Sequence, residues 1–280
     1  MLQCPELSRF SLNQRTAANW PLPEALAGLA QIGAGGIGIW RESIAELGLA
    51  QVSSMIADSG LSVSSLCRAG YVTDPTTLAA SQSANRRAVE EAAAIGARGL
   101  VFVAGGLAAG DRDLVGARSR IADAIAELVP FARAASVPLA LEPMHPIFAA
   151  DRGIVSTLGE ALDLAEQFDS EDVGVVVDTF HVWWDPQILA QIARAGERIL
   201  SYQVSDWITP LPPDTLLSRG VMGDGHIDFS SLTSAVTAAG YRGCIEVEIF
   251  NADLWSQRGE DILRLVAERY AALVAPWARD

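Results

Sequence analysis

The 280-residue chain is half hydrophobic, enough to bury a large core, and carries 34 acidic against 20 basic residues for a formal net charge of −14. A field of that sign repels phosphate backbones and anionic membrane surfaces, which argues against nucleic acid or membrane partners. The opening stretch MLQCPELSRFSLNQRT has neither a basic n-region nor an apolar h-region, and no apolar run reaches spanning length, so a soluble cytoplasmic protein is expected.

In chain order, short β-branched or apolar runs alternate with longer Ala/Leu/Glu/Arg stretches of helical period, the pattern of βα units and a parallel sheet. The predicted strands are RFSLNQ (9–14), GIGIW (36–40), LSVSSLC (61–67), GLVFVAG (99–105), PLALEP (138–143), VGVVVD (173–178), ILSYQVSD (199–206) and CIEVEIF (244–250). Between them lie amphipathic segments such as 83–97, 116–135 and 158–168, with DSGLSV, IGARGL, AASVPL and AAGYRG punctuating the helix-to-strand returns. No linker or composition shift divides the chain. Eight units of this kind predict a (β/α)₈ TIM barrel, a single domain over 1–280, with its site at the C-terminal ends of the strands. GAGGIG at 33–38 leads into a strand rather than out of one into a helix, so it reads as a turn and not a dinucleotide fingerprint. Cys4, Cys67 and Cys244 are odd in number, far apart and in no CxxC motif, which predicts reduced structural thiols.

Four neighbouring strands end on oxygen ligands: Glu142 on the fifth, Asp178 on the sixth, Gln203 within the seventh and Glu248 on the eighth. Barrel interiors are ordinarily filled by Val, Ile and Leu, so inward carboxylates on several adjacent strands are poorly explained as core. Three of them converging would raise one another's pKa unless a cation neutralised them, which predicts a divalent metal. Period-two alternation puts Glu246 and Glu248 on one face, with Glu248 nearer the mouth and Glu246 either a layer deeper, in need of a partner such as an arginine, or on the outer side if the alternation is inverted. All three histidines of the chain, His145, His181 and His226, follow strands five, six and seven. The first two are candidates for function and His226, inside GDGHID, for a structural role. Arg41 and Arg68 end strands two and three, where lining the pocket and salt-bridging at its mouth are equally open readings.

The pieces LEPMHP, VVVDTFHVWWDP, YQVSDW, SRGVMGDGHIDF and IEVEIF, in this order and spacing, resemble the xylose-isomerase-like sugar phosphate isomerase/epimerase superfamily. The resemblance implies a metal held by Glu142, Asp178, Gln203 and Glu248, with His181 and Arg219 on substrate oxygens. Where the family usually has His, three residues before the Asp, this chain has Gln203; an all-oxygen set favours Mn²⁺, or Mg²⁺, over Zn²⁺. The implied chemistry is proton abstraction beside a carbonyl through an enediolate, with Glu142 and Glu248 as base and acid and His145 moving a second proton. LEPMHP and HVWWDP are also similar to the catalytic α-subunits of C-glycoside deglycosidases. On that branch the reaction is carbon–carbon cleavage of a 3-oxo-glycoside, Trp183 and Trp184 wall the aglycone, and a small β-subunit is the partner. An oligomer is expected on either branch. Arg219 is the only cation among these motifs, which points to an unphosphorylated sugar or glycoside. Two alternatives differ in kind. A non-catalytic sugar-binding barrel subunit would bind no metal, and an apurinic endonuclease needs basic loops and a His-rich zinc cluster that three histidines and this charge argue against.

Overall fold

The computed structural model describes residues 7–279. Eight parallel strands close into a barrel in the order β1, β10, β7, β6, β5, β4, β3, β2. They are β1 (Phe10–Asn13), β2 (Gly36–Trp40), β3 (Ser62–Gly70), β4 (Leu100–Val103), β5 (Leu139–Glu142), β6 (Val173–Asp178), β7 (Ile199–Val204) and β10 (Ile245–Val247). The remaining two, β8 (Asp206–Trp207) and β9 (Arg219–Gly220), form a small antiparallel ribbon above the barrel. Parallel strands covered by helices bury both faces, and VGVVVD shows it: all six residues are buried. The sixth strand therefore runs where its valines predicted.

Helix boundaries follow capping chemistry. Thr157 Oγ1 accepts from the Glu160 amide at 3.1 Å and Glu160 Oε2 accepts from the Ser156 amide at 2.9 Å, a reciprocal cap that starts the helix Leu158–Ala165. The predicted helix at 83–97 begins earlier, as Leu78–Ala94. Leu78 packs on the core, and the Ala-rich first turn needs no polar signal to be helical. On this helix Asn85 pins the end of β3, accepting from the Gly70 amide at 2.8 Å and donating to the Gly70 carbonyl at 3.2 Å. The stretch predicted as one strand over 199–206 divides into β7 and β8, because Ser205 turns the chain out of the barrel. Gly33, with φ +74°, ends the helix Leu22–Ile32, and the GAGGIG stretch then enters β2 as expected.

Cys67 and Cys244 are free thiols, and Cys4 lies outside the described residues. Among the described residues no helix is long and apolar enough to cross a membrane.

Candidate active site at the barrel mouth

The strand register builds the site in two layers. Asp178 pairs with Gln203, and Gln203 pairs with Glu246, so three adjacent strands carry polar side chains at one level. Glu246 is fully buried and faces inward, as alternation predicted, but its partners are neutral donors and not an arginine. It accepts from Asn13 Nδ2 at 2.6 Å, Ser64 Oγ at 2.6 Å, Ser65 Oγ at 2.8 Å and Gln203 Nε2 at 3.3 Å. Burial still pushes its carboxyl above the ordinary range, against those hydrogen bonds. Gly38 makes room for this group: a Cβ there would lie 2.6 Å from Glu246 Cδ. Gly38→Ala is expected to cost about 1–3 kcal/mol, the usual price of overpacking, measurable as a lowered urea midpoint at unchanged m-value.

The upper layer is the charged one. Glu142, Asp178 and His181 each offer a ligand atom within 4.8 Å of the others, and all are buried. His181 Nε2 lies 3.5 Å from Glu142 Oε1 and 3.8 Å from Asp178 Oδ2. Glu248 joins the group through Arg219. The guanidinium donates from Nη1 to Asp178 Oδ2 at 2.6 Å and reaches Glu248 Oε2 from Nη2 at 3.2 Å. Asn13 Nδ2 also donates to Glu248 Oε1 at 2.9 Å, linking the two layers. Burial, then the Asp178 charge, drives the Glu142 carboxyl up to about 8. Burial raises Asp178 and Glu248 as well, with Arg219 opposing in both. His181 is held well below its usual range by burial and by Arg219, so its ring is neutral. Its Nδ1 accepts the His145 amide at 3.0 Å, which leaves the ring proton on Nε2.

Arg219 Nη2 approaches His181 Nε2 to 3.1 Å, and both are donors. Two convergent donors beside carboxylates suit a single oxygen acceptor of a ligand.

Arg219 owes its position to the ribbon. It pairs with Trp207 across β8 and β9 and lies between the rings of Phe180 and Phe250, 4.8 and 5.4 Å from their centroids. The ribbon and its following loop are tied by Asp206. Its carboxylate accepts from the amides of Trp207 (2.8 Å), Gly223 (2.9 Å), Gly225 (2.8 Å) and Ile227 (3.0 Å).

Gln203 tests whether a cation fits here. Its Nε2 is turned to Glu246, so its Oε1 is buried with no hydrogen-bond partner, an orphan acceptor in a group otherwise made of carboxylates. A buried acceptor without a donor, among acids raised by burial, is what a hard divalent cation would satisfy.

A cavity of about 280 Å³ opens onto this group. Glu142, Glu248, His181 and Arg219 line it, with Trp40, Phe250 and Trp255 as an aromatic wall. Two residues read from sequence as functional are placed elsewhere. The His145 ring packs on Trp207 and Trp184, with centroids 4.6 and 5.6 Å away, and burial holds its pKa down to about 4. Its contribution to the group is the amide that orients His181. Trp183 packs on Trp207, 5.7 Å between centroids, off the cavity wall. Trp184 Nε1 donates to the His181 carbonyl at 2.8 Å. His226 is exposed, its Nε2 3.2 Å from Thr209 Oγ1, in keeping with a structural role.

The cation census also differs from the sequence reading. Arg41 is drawn away by Glu91, Nε to Oε2 at 2.5 Å, whereas Arg15, Arg68 and Arg152 join Arg219 around the cavity. Arg15 stands on the 3-10 helix Gln14–Ala17, Arg68 near the end of β3 and Arg152 in a turn, all outside the motifs, and only Arg68 carried a sequence signal, its place at the end of a strand.

A closed parallel barrel with its buried acids gathered at the C-terminal mouth defines the class: a TIM-barrel protein with a candidate metal centre. A family model described as "Xylose isomerase-like TIM barrel" matches residues 26–270, and the chain belongs to that family. Among solved structures it is similar to a protein of Sinorhizobium meliloti 1021, with TM-score 0.92 and 41% identity over 96% of this chain and 99% of that one. It shares its fold with the IOLI protein solved with a zinc atom, TM-score 0.82 at 19% identity over 96% and 99% of the two chains. Among curated proteins it is 26% identical to the inosose isomerase of Bacillus velezensis, over 56% of this chain and 55% of that one. It is also 32% identical to the 3-dehydroshikimate dehydratase of Pseudomonas aeruginosa, over 35% of this chain and 16% of the relative. The chain thus spans about half or less of these two curated relatives.

Proposed function

We propose that this protein is a divalent-metal-dependent enzyme that moves a proton at a carbon beside a carbonyl of a small polyhydroxylated substrate, as an isomerase or epimerase. The observation that carries the reading is the buried cluster at the mouth, where Glu142, Asp178 and His181 offer ligand atoms within 4.8 Å of one another and Arg219 ties in Glu248, with the unpartnered Oε1 of Gln203 on the strand next to Asp178. Glu142, Asp178, Gln203 and Glu248 would hold the ion. When bound, it would supply Lewis acidity to the substrate's carbonyl and adjoining hydroxyl, lowering the acidity barrier at the carbon between them.

The chain's own groups account for the rest. His181 Nε2–H and Arg219 converge on one acceptor, and so would fix a substrate oxygen and stabilise charge developing there. Glu142 at the end of β5 and Glu248 just past β10 belong to strands three places apart around the ring, and so would face the substrate from different sides. One would remove the proton and the other return it to the opposite face, which is epimerisation; return by way of the neighbouring oxygen gives isomerisation. Asp178, held by Arg219 and by the Phe180 amide at 2.9 Å, would serve only as a ligand.

A cavity of about 280 Å³ is at the small end for ligand sites. It suits a monosaccharide or cyclitol and leaves little room for an aryl C-glycoside. The ring of His145, the group proposed from sequence to deprotonate a phenol, packs on Trp207 and does not line the cavity. Both observations favour the isomerase or epimerase over the carbon–carbon lyase. The names of the relatives supply the first substrates to try, inosose and L-ribulose for the neutral class.

The test is conversion of such ketones by chelator-treated protein before and after Mn²⁺ is restored, with one ion bound per chain by equilibrium dialysis. Full turnover without any ion would overturn the proposal. Gln203→His replaces the amide oxygen by an imidazole nitrogen. It is expected to shift the Zn²⁺/Mn²⁺ affinity ratio toward zinc by about tenfold or more, following ligand softness. An unchanged ratio would remove Gln203 from the ligand set.

A further inference from the structure

We propose that Arg68, Tyr71 and Arg152 form an oxyanion-binding subsite across the mouth from Gln203, and that the substrate carries an anionic group, a carboxylate or a phosphate, seated there. The proposal rests on the cavity being the substrate site, as argued above, and adds the substrate's charge class.

The placement follows from the barrel order. β3, which carries Arg68, stands four places from β7 in a ring of eight, diametrically opposite the strand of Gln203. A substrate bound to the acids and Arg219 by one end therefore presents its other end toward β3. The walls there are joined to one another. The Tyr71 amide donates to the Val103 carbonyl at 2.8 Å, a Cβ on Gly105 would lie 3.1 Å from Tyr71 Cα, and Gly105 pairs with Gly153, next to Arg152. Arg68, Tyr71 and Arg152 all line the same cavity.

The chemistry of these groups is that of a site lacking its acid. Among the described residues Arg68 has no carboxylate within salt-bridge distance and no hydrogen-bond partner; its guanidinium stacks on the Tyr71 ring, 4.0 Å from the centroid. Stacking leaves the N–H edges of the fork free to bind an oxyanion side-on. Arg152 has Asp151 at 3.5 Å and the Phe148 ring centroid at 5.9 Å, and its Nε is buried without a hydrogen-bond partner. Arg15, the remaining arginine of the wall, is already paired with Glu42 at 3.1 Å and is not part of the proposal. Tyr71 holds φ +55°, a backbone conformation rare for a side chain of its size, and that conformation sets its ring beneath Arg68. In a chain of net charge −14, whose other arginines lie mostly against acids or carbonyls, two half-buried arginines turned to a cavity are the exception that a ligand charge would complete.

The experiment is calorimetric titration of Mn²⁺-loaded protein with matched pairs: D-glucuronate against D-glucose, quinate against myo-inositol, and glucose 6-phosphate as the phosphate arm. The expected result is charged ligands binding about tenfold or more tighter than their neutral partners, a preference that salt weakens. Arg68→Gln and Arg152→Gln should each reduce that preference, read as the charged-to-neutral affinity ratio, about tenfold, while Arg68→Lys retains part of it. Tighter binding of glucose 6-phosphate than of D-glucuronate would assign the subsite to phosphate, and the reverse to carboxylate. Equal affinity for charged and neutral members, no saturable binding of any charged member, or an Arg68→Gln protein that keeps the full preference would overturn the subsite. Solvent-deuterium exchange into a bound ketone reports on enolisation separately. Charge preference without exchange defeats the enolisation reading alone, and exchange without preference defeats the subsite alone.

Discussion

Glu142→Gln is expected to lower the rate of proton exchange by about 10³-fold, within the usual range for loss of a positioned general base or acid. The substitution keeps shape and removes only the ionisable oxygen. His181 Nε2 stands 3.5 Å from the Glu142 Oε1, and the charges of Asp178 and Arg219 act on that carboxyl as well. Because burial drives the Glu142 carboxyl up to about 8, ionising it in the fold is unfavourable, and that cost grows as pH rises above the ordinary carboxylate range. A neutral amide avoids it. The variant should therefore be at least as stable as the parent at neutral pH in the metal-free state, which separates a chemical loss from a folding one. Manganese titration completes the experiment: weaker binding assigns Glu142 to the ion, and exchange still lost at saturating Mn²⁺ assigns it to the proton.

Asp206→Ala should produce the largest loss of stability. Four backbone amides converge on the Asp206 carboxylate, and it is buried among them. Hydrogen bonds to a charged acceptor contribute about 1.5–3 kcal/mol each, and unpartnered buried amides cost about 1–3 kcal/mol apiece. Four sharing two oxygens do not add fully, so a loss of about 3–5 kcal/mol is expected. Urea unfolding measures it. The ribbon carries Arg219, so the same variant should lose activity in whatever fraction stays folded, by about 10²-fold for a displacement near 1 Å. Asp206→Asn keeps one acceptor and should fall between. A folded, fully active Asp206→Ala protein would show that Arg219 does not depend on this knot.

How much of this was legible in the sequence differs by element. The barrel was, because strands buried on both faces write their valines in unbroken runs, as VGVVVD does. Glu142, Asp178 and Glu248 were visible as acids at the ends of such runs, and register sets Asp178 level with Gln203 and Glu246. The β8/β9 ribbon was not, since strands of two residues have no periodicity to read; yet the ribbon delivers Arg219. Asn13 and Gly38 were missed for a related reason. Their roles exist only opposite Glu246, a partner more than 200 positions away in the chain. His145 was visible as a histidine after a strand, but which way its ring turns depends on Trp184 and Trp207, and it turns to them. The arginines show the same limit: sequence counts cations, and packing decides that Arg41 goes to Glu91 while Arg68 goes to the cavity.

The most direct measurement of the central claim is wash-in of solvent deuterium. Protein loaded with Mn²⁺ is incubated in D₂O with a keto-polyol or its carboxylated counterpart, and the carbon beside the carbonyl is followed by NMR. The expected result is exchange that requires the ion, falls about 10³-fold with Glu142→Gln, and is restored to a chelated sample by Mn²⁺. Conversion of a substrate with no deuterium entering that carbon, or exchange at an undiminished rate in Glu142→Gln, would contradict it.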